Sequence, residues 1–323
     1  MWLAQQSAVV AGGKFSFVAA GTLVQADLGG QFFLGRALGF DVSLVHGRQG
    51  DCIMPASDKE FVGSIPELYD RLLVPMIFEP YARDLAQRAK TFGPHDLLET
   101  AAGTGAATRA LSSELGSNAR IVVTDLNEPM LARARSRMPH RPDITWQQAD
   151  ALALPFEDAR FDIIACQFGA MFFPDRVKGY AEAHRVLRPG GRFLFNVWDR
   201  IEENEFADVV VQTTWTMYPN NPPLFLARTP HGYHDPARIR ADLTAAGFKD
   251  IAIETIAHRS RAASPQDPAI AYCQGTPMRG EIEKHGASAL EAATRRATEA
   301  LARRFGTGTI DGQIQALVIS AVA

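Results

Sequence analysis

The sequence has few cysteines and no excess of charge of either sign. Its three cysteines, Cys52, Cys166 and Cys273, lie far apart and form no Cys-x-x-Cys pair, which argues against a disulfide framework and a zinc site. Lys and Arg number 33 against 36 Asp and Glu, so the basic excess of nucleic-acid and anionic-membrane binders is missing. We therefore expect no metal, no nucleic-acid partner and a reducing, cytoplasmic location.

Long apolar runs are also missing. No segment reaches the about 18 uninterrupted apolar residues that a membrane-spanning helix requires. The apolar stretch around Lys14 is interrupted by Gly12, Gly13, Gly21 and Gln25, and it lacks the basic start of a secretory signal. What is present is 46% hydrophobic and 21% charged residues, the composition of a globular protein with a sizeable core.

Residues 1–53 differ from the rest of the chain, because charges are sparse, glycines are frequent and no helical or strand period holds. Two interpretations are open. The segment is either a small β-rich subdomain or an extension upstream of a true start at Met54. We favour the second, since ordinary helical patterning begins soon after Met54, and we predict one main domain over residues 54–323. Peptide mapping of natively expressed protein that recovered residues 1–53 would exclude the start at Met54.

Beyond Met54 the sequence alternates between helix and strand patterns. Apolar residues recur at helical spacing from Ile65 to Met76, with Ser64 as the predicted N-cap. Strands are predicted at 96–100, 120–124, 144–148, 161–166, 192–197, 251–256 and 314–322. Helices are predicted at 80–90, 104–115, 129–138, 175–187, 235–247 and 288–305. This alternation predicts an α/β fold in which helices cover both faces of a parallel sheet and the carboxyl ends of the strands share one edge.

A glycine-rich turn joins the first of these strands to its helix. In Glu99-Thr-Ala-Ala-Gly-Thr-Gly105, two glycines permit positive φ and a close approach of ligand to backbone. The helix N-terminus beyond them presents free amides that suit a carboxylate or a phosphate. Glu99 is an acid placed to hold an ammonium group. Thr108 stands where a dinucleotide-binding turn would have its third glycine, which counts against the NAD fingerprint.

Two further acids follow the next strands. Asp125 ends the second strand, where a carboxylate accepts both hydroxyls of a ribose. Asp150 and Ala151 follow the third strand, where a carboxylate and the next amide can bind an adenine edge.

These motifs, together with Arg185-Val-Leu-Arg-Pro-Gly-Gly-Arg192, resemble the successive motifs of class I S-adenosylmethionine (SAM)-dependent methyltransferases. The resemblance is to the branch that contains the ubiquinone/menaquinone-biosynthesis C-methyltransferases, and it covers about residues 64–248. It implies a doubly wound seven-stranded, Rossmann-like sheet whose last strand is antiparallel, with helical lid elements. It also implies methyl transfer from SAM to a small-molecule acceptor, with the attacking atom, carbon, oxygen or nitrogen, left open.

The resemblance assigns cofactor contacts by position. The implied contacts are Gly103 and Gly105 with the methionine part, Glu99 with its ammonium group, Asp125 with the ribose, Leu126, Met130, Asp150 and Ala151 with the adenine, and Gln167 with the methionine end. Ala101 is the tenth implied cofactor contact, and it departs from the family pattern, because the commonest residue at its position is glycine. Alanine is small enough to be tolerated there.

The acceptor side has weaker signals. Phe168, Met171, Phe172 and Phe173 lie where the acceptor pocket of such folds begins, although an aromatic and methionine cluster is more often core. Tyr69 lies on the N-terminal helix that often covers the cofactor in the resembling family, and packing explains it equally well. His231 and His234 are candidate general bases, but positioning alone suffices for many methyltransferases. We expect residues 201–233, together with the N-terminal helix, to form a lid over the acceptor.

Two alternative functions stay open, and a third is disfavoured. A non-catalytic SAM-binding protein would share all of the motifs, and an NAD(P)-dependent oxidoreductase would share the first turn and Asp125. Asn221-Pro-Pro-Leu224 resembles the Asn-Pro-Pro-aromatic motif of enzymes that methylate amino groups of adenine or glutamine. It does not follow the fourth strand and it ends in leucine, so we interpret it as a loop.

Overall fold

The computed structural model describes residues 9–11, 14–19, 22–27, 58, 63 and 65–323. Chain contacts divide the protein into two units, Met1–Cys52 and Ile53–Ala323. In the first unit, strands β1 (Val9–Ala11), β2 (Lys14–Ala19) and β3 (Thr22–Asp27) form an antiparallel sheet in that order. Met54 and the predicted N-cap Ser64 lie outside the described residues, so the start at Met54 stays a prediction.

The second unit contains the predicted seven-stranded sheet. Its strands are β4 (Asp96–Glu99), β5 (Arg120–Asp125), β6 (Ile144–Gln148), β7 (Phe161–Gln167), β8 (Leu187–Trp198), β9 (Lys249–Ala262) and β10 (Ile310–Val322). The spatial order is β6-β5-β4-β7-β8-β10-β9. The first five strands are parallel, and β10 runs antiparallel to both of its neighbours. The predicted fold class and the antiparallel last strand are therefore confirmed.

Helices connect these strands and extend beyond them. They are α1 (Ile65–Leu68), α2 (Glu79–Thr91), α3 (Ala106–Leu115), α4 (Glu128–Ser136), α5 (Arg176–Val186), α6 (Glu205–Met217), α7 (Phe225–Arg228), α8 (Pro236–Ala245), α9 (Gln266–Gln274), α10 (Met278–Glu283) and α11 (Ala289–Phe305). Between α1 and α2 the chain is π-helical over Tyr69–Phe78, with Pro75 inside this segment. In the described part of the chain, no helix combines the length and the apolarity needed to cross a membrane.

The two faces of the sheet carry separate apolar cores, as the pleat of the strands requires. Leu97 and Val123 pack on the face covered by α2 and α3, whereas their neighbours Leu98 and Val122 pack on the opposite face with Tyr180 of α5. Burial of each leucine contributes about 2 kcal/mol to folding. Because both faces are covered, the parallel strands are continuous apolar runs, which is why they could be recognised in the sequence.

The remaining boundaries differ in a few places. Strand β9 extends over 249–262 rather than 251–256, because it pairs with β10 along almost its whole length. Helix α8 begins after Asp235, whose carboxylate accepts the amide of Ala237 as predicted. Ser288 precedes α11 but makes no side-chain cap, since its backbone is already helical.

Candidate cofactor and acceptor site

The carboxyl edge of the parallel strands is lined by one cavity of about 130 Å³, which we call the edge cavity. Loops after β4, β5, β6 and β7 form its walls. Eight of the ten cofactor-contact residues predicted from the sequence line it: Ala101, Gly103, Asp125, Leu126, Met130, Asp150, Ala151 and Gln167. Glu99 and Gly105 are not among its lining residues. The four strand ends expected to share one edge are thus brought together.

Asp125, the last residue of β5, is held rigidly at the floor of this cavity. Its Oδ2 accepts the amide of Gly103 at 2.7 Å, and its Oδ1 accepts the amide of Asn127 at 2.7 Å. The residue is 7% exposed, and burial raises its carboxyl pKa while the two amides oppose that shift. Each oxygen still has a lone pair, so the carboxylate can accept two hydroxyl groups in addition.

Glu99, the last residue of β4, is more deeply buried, at 1% exposure. Neither of its carboxyl oxygens has a hydrogen-bond partner in the part of the chain that the structure describes. Burial raises the pKa of Glu99 from its ordinary value of 4.5 to about 8, an effect that Thr108 and Arg109 partly offset. A buried polar group without a partner is costly. This carboxyl group therefore does not stabilise the ligand-free fold.

The glycine-rich turn has the predicted left-handed backbone, but its two glycines do different things. Gly103 has φ of +57° and lines the edge cavity. Gly105 has φ of +81° and precedes α3, and a Cβ on it would lie 3.0 Å from the Cβ of Ala134 in α4. The expected contact of Gly105 with the cofactor stays a prediction. This glycine lets α3 and α4 approach each other.

Polar and apolar groups alternate at the far end of the edge cavity. Asp150 follows β6, and one of its carboxyl oxygens accepts the amide of Leu152 at 2.9 Å. Leu126 is 43% exposed, whereas Met130 is 4% exposed, and both line the cavity. An exposed leucine beside a buried methionine offers apolar surface to a flat ring, and Asp150 can bind that ring's polar edge.

The π-helical segment Tyr69–Phe78 lies against the same cavity, with Tyr69 and Phe78 among its lining residues. Gln167 connects the segment to the end of β7, since its Nε2 donates to the Phe78 carbonyl at 2.8 Å. The Oε1 of Gln167 is buried and has no partner within residues 65–323 or the shorter described segments. Gln167 thus offers one free acceptor to a ligand.

A second cavity, which we call the inner cavity, adjoins the first and shares Tyr69, Phe78, Phe168 and Phe172 with it. Part of the expected lid, residues 201–233, contributes a further set of its lining residues: Asn204, Phe225, Leu226, Pro230 and His231. His234 is not among them, and its Nδ1 lies 2.7 Å from the His231 carbonyl oxygen. Of the two candidate bases, only His231 therefore faces a cavity.

His231 is a poor general base in this position. Burial lowers the pKa of its imidazole from 6.5 to about 4, so the ring holds a proton weakly at neutral pH. Among the described residues no cluster of three or more His, Cys, Asp and Glu side chains could hold a metal ion.

Two contributors to these cavities escaped sequence reasoning. Asn127 fixes Asp125 through its backbone amide, an interaction that any residue type could provide. Tyr272, in α9, lines the inner cavity more than a hundred positions beyond β7. No local pattern marked it, because only the folded chain brings α9 to the π-helical segment.

Comparisons with known proteins agree with this geometry. Residues 98–195 match the family model described as a methyltransferase domain, which confirms the resemblance over that segment. The chain is 33% identical over 126 residues to the ubiquinone/menaquinone biosynthesis C-methyltransferase UbiE of Marinomonas sp., covering 38% of this chain and 50% of that protein. It is 36% identical over 140 residues to the demethylmenaquinone methyltransferase of Deinococcus radiodurans, covering 42% of this chain and 58% of that protein.

The chain thus spans about half the length of the curated relatives it matches. Among solved structures, the YcgJ protein of Bacillus subtilis superposes with a TM-score of 0.47 at 21% identity, covering 75% of this chain and 98% of that one.

Proposed function

We propose that this chain, whose residues 98–195 match a methyltransferase domain, transfers the methyl group of SAM to a small-molecule acceptor. The observation that carries the proposal is the edge cavity itself. It combines Asp125, fixed by two backbone amides, with the turn at Gly103 and with Asp150. The buried carboxyl group of Glu99, at the end of the neighbouring strand β4, has no hydrogen-bond partner among the described residues.

The residues present fit SAM along its whole length. Asp125 would bind the ribose hydroxyls, and Leu126, Met130, Asp150 and Ala151 would surround the adenine. Glu99 would approach the ammonium group of the methionine part, with Ala101 and Gly103 beside it and the free Oε1 of Gln167 at its end. The positive ligand group offsets the cost of ionising Glu99, since opposite charges at close range lower the pKa of a carboxyl group.

SAM, when bound, supplies an activated methyl group: an acceptor lone pair forms the new bond to the methyl carbon as the carbon–sulfur bond breaks, the electron pair stays on sulfur, and any acceptor proton goes to solvent. The chain's own contribution is positioning and the exclusion of water. Tyr69 and Phe78 on one side and Phe168 and Phe172 on the other enclose the passage between the two cavities. The low basicity of His231 supports positioning over proton abstraction by this residue.

Two finer points belong to the same proposal. A small molecule is the expected acceptor, and nucleic acid is not, because the near balance of charge offers little attraction for phosphates. A cytoplasmic location is expected from the cysteine content. The oxidoreductase alternative has less support, since Thr108 is fully buried in α3 where a dinucleotide turn would have glycine.

Calorimetric titration tests the cofactor directly. SAM and its demethylated product, S-adenosylhomocysteine, are titrated into the wild-type protein and into Asp125→Asn, with NADH as the competing ligand. Asp158→Asn is the matched control, because Asp158 is largely exposed and pairs with Arg185 at the surface. We expect SAM binding that Asp125→Asn weakens at least about tenfold, the effect of losing a bidentate, charge-assisted contact. Binding of NADH without SAM would replace the proposal with the oxidoreductase function.

Turnover is tested separately, because cofactor binding alone also fits a non-catalytic SAM-binding protein. Release of S-adenosylhomocysteine is followed with a panel of small quinols, phenols and amines. A panel member that is methylated by the wild-type protein, and not by Asp125→Asn at low SAM concentration, would establish the enzyme. Tight SAM binding with no methylation of any class would favour the non-catalytic alternative.

A further inference from the structure

The inner cavity has an uncharged lining. Its lining residues come from the π-helical segment, the end of β7, the end of β8, the 201–233 segment, α9 and β10, and none of those in the described chain is Asp, Glu, Lys or Arg. An ion entering such a site would lose its hydration without a counter-charge, which costs several kcal/mol. The cavity is therefore suited to an uncharged ligand.

Aromatic rings form much of its wall. The rings of Phe168 and Trp198 stack with centroids 3.8 Å apart, and Phe78 meets the edge of Phe168 at 5.4 Å. Stacked and edge-to-face rings extend naturally to a further flat ring. The cavity volume is about 60 Å³. Since an apolar cavity of about 150 Å³ holds benzene, the ligand has a single ring at most, and lining side chains must shift to admit it.

His231 presents one defined polar atom to this cavity. Its Nδ1 lies 2.8 Å from the carbonyl oxygen of Asp199. A carbonyl oxygen only accepts, so Nδ1 carries the hydrogen and Nε2 carries the lone pair. No group in the described ranges bonds to Nε2, and the neutral ring keeps this atom as an acceptor at neutral pH.

Tyr272 presents the second polar atom. The residue is 4% exposed and lines the inner cavity, and its hydroxyl has no hydrogen-bond partner in the region for which side chains are described. Burial raises the pKa of this phenol above its ordinary value, so it stays protonated. A tyrosine hydroxyl beside a cavity can hydrogen-bond to a ligand that enters it.

We propose that the inner cavity binds the methyl acceptor, and that the acceptor is a small uncharged ring compound whose hydroxyl or amine hydrogen-bonds to His231 Nε2 and Tyr272. The inference rests on the proposed function. Tyr272 and His231 then select the acceptor by its polar substituent, and the aromatic wall selects it by its flat ring. The edge cavity holds the cofactor beyond Tyr69 and Phe168.

Three ring compounds of similar size test this specificity: phenol, toluene, which lacks the hydroxyl, and benzoate, which is charged. Each is titrated into wild-type protein, alone and saturated with S-adenosylhomocysteine, with binding followed by ligand-observed NMR. We expect phenol to bind more tightly than toluene by roughly three- to tenfold, the effect of one or two neutral hydrogen bonds, and benzoate not to bind.

Two variants identify the polar atoms. Tyr272→Phe removes only the hydroxyl, and His231→Asn retains a donor for the Asp199 carbonyl but lacks Nε2. Each should lower the affinity for phenol towards that for toluene and leave the affinity for toluene unchanged. Tyr233→Phe is the matched control, because Tyr233 is also buried but donates to Asp242 and does not line the cavity. It should preserve the phenol-to-toluene ratio.

The outcomes separate the two proposals. Equal binding of phenol and toluene, no binding of either, or equal losses in all three variants would overturn the acceptor assignment, whatever SAM does. If SAM itself does not bind, the proposed function fails. A preference for phenol over toluene that is retained in the ligand-free protein then assigns the inner cavity to some other ligand. Unchanged SAM affinity in Tyr272→Phe and His231→Asn is expected in every case that supports the assignment.

Discussion

The methyl group of Ala101 fills the space that a side chain at position 169 would need. Ala101 follows β4 with φ of +53°, Gly169 follows β7, and a Cβ built on Gly169 would lie 2.4 Å from the Ala101 Cβ and 2.8 Å from the Cys166 sulfur. Gly169 itself has an ordinary φ of −103°. Its requirement is therefore one of space, and Ala101, where the family commonly has glycine, creates most of it.

We expect the substitutions Gly169→Ala and Ala101→Gly to be coupled. Gly169→Ala alone should destabilise the fold by about 1–3 kcal/mol through overcrowding. Ala101→Gly should recover part of that loss, giving a coupling energy of at least about 0.5 kcal/mol. Ala101→Gly also removes the strain of an alanine with left-handed backbone. Denaturant unfolding of the two single variants and the double variant measures the cycle. Additive effects would mean that Cys166 alone limits the space.

Glu99→Gln should stabilise the ligand-free protein at neutral and higher pH. The pKa of Glu99 is raised from 4.5 to about 8 in the fold, so between these values the folded state holds a proton that the unfolded state has released. The contribution of protonated Glu99 to the free energy of unfolding is fully present below pH 4.5. It is lost as pH rises to 8, at about 1.4 kcal/mol per pH unit. Glutamine carries no such loss.

The measurement is the free energy of unfolding of both proteins at pH 5, 6, 7 and 8. The advantage of Glu99→Gln over wild type should grow with pH across this window. Glu114→Gln is the control, because Glu114 lies in α3, the helix that follows β4, is partly exposed and pairs with Lys90. A pH-independent difference would show that Glu99 is ionised in the ligand-free fold.

The same carboxyl group should link SAM binding to proton release. Below pH 8 the free protein holds Glu99 protonated, and an ammonium group beside it favours the ionised form. Affinity for SAM should therefore rise from pH 6 to pH 8 by up to about tenfold per unit, and Glu99→Gln should bind weakly with no such slope. Calorimetry at pH 7 in two buffers of different ionisation enthalpy counts the protons. Equal heats in both buffers would contradict the link.

The lining of the edge cavity was largely predictable because its residues lie close to the strand ends in the sequence. Each follows a strand that is buried on both faces, and runs such as Ile121-Val122-Val123 make those strands recognisable. The sequence signature of a positive φ at Gly105 is the same whether the space beside it is taken by a ligand or by Ala134, so the packing of α3 against α4 could not be predicted from it.

The acceptor half was not predictable in the same way. Helix α6 contains Val209-Val210-Val211 and Thr213-Thr214, which have modest helix propensity, and it forms because its apolar face packs in the core. Tyr272 reaches the inner cavity only through the packing of α9 against the π-helical segment. The unpartnered state of its hydroxyl is a property of the assembled fold, not of any sequence pattern.

Asp70 should control how firmly the π-helical segment covers the cofactor. Its side chain is fully buried, and its Oδ2 accepts from Arg137 at 2.7 Å and from Arg133 at 3.1–3.2 Å. Both arginines belong to α4 or its end, just beyond Asp125. The two ion pairs of Asp70 therefore hold the segment that carries Tyr69 against the helix that follows Asp125. Asp70→Asn removes the charge and leaves the arginines, which are 44% and 36% exposed, to water.

Because the arginines can rehydrate, the loss of stability should be about 1–2 kcal/mol, less than the 3–5 kcal/mol for breaking a fully buried pair. We expect faster amide hydrogen exchange over residues 69–78 and faster dissociation of SAM, with little change in its association rate. Asp84→Asn breaks a pair of similar geometry with Arg88 within α2 and should change neither quantity. If Asp70→Asn lowers stability without changing amide hydrogen exchange over residues 69–78, the ion pairs of Asp70 stabilise α4 and not the π-helical segment.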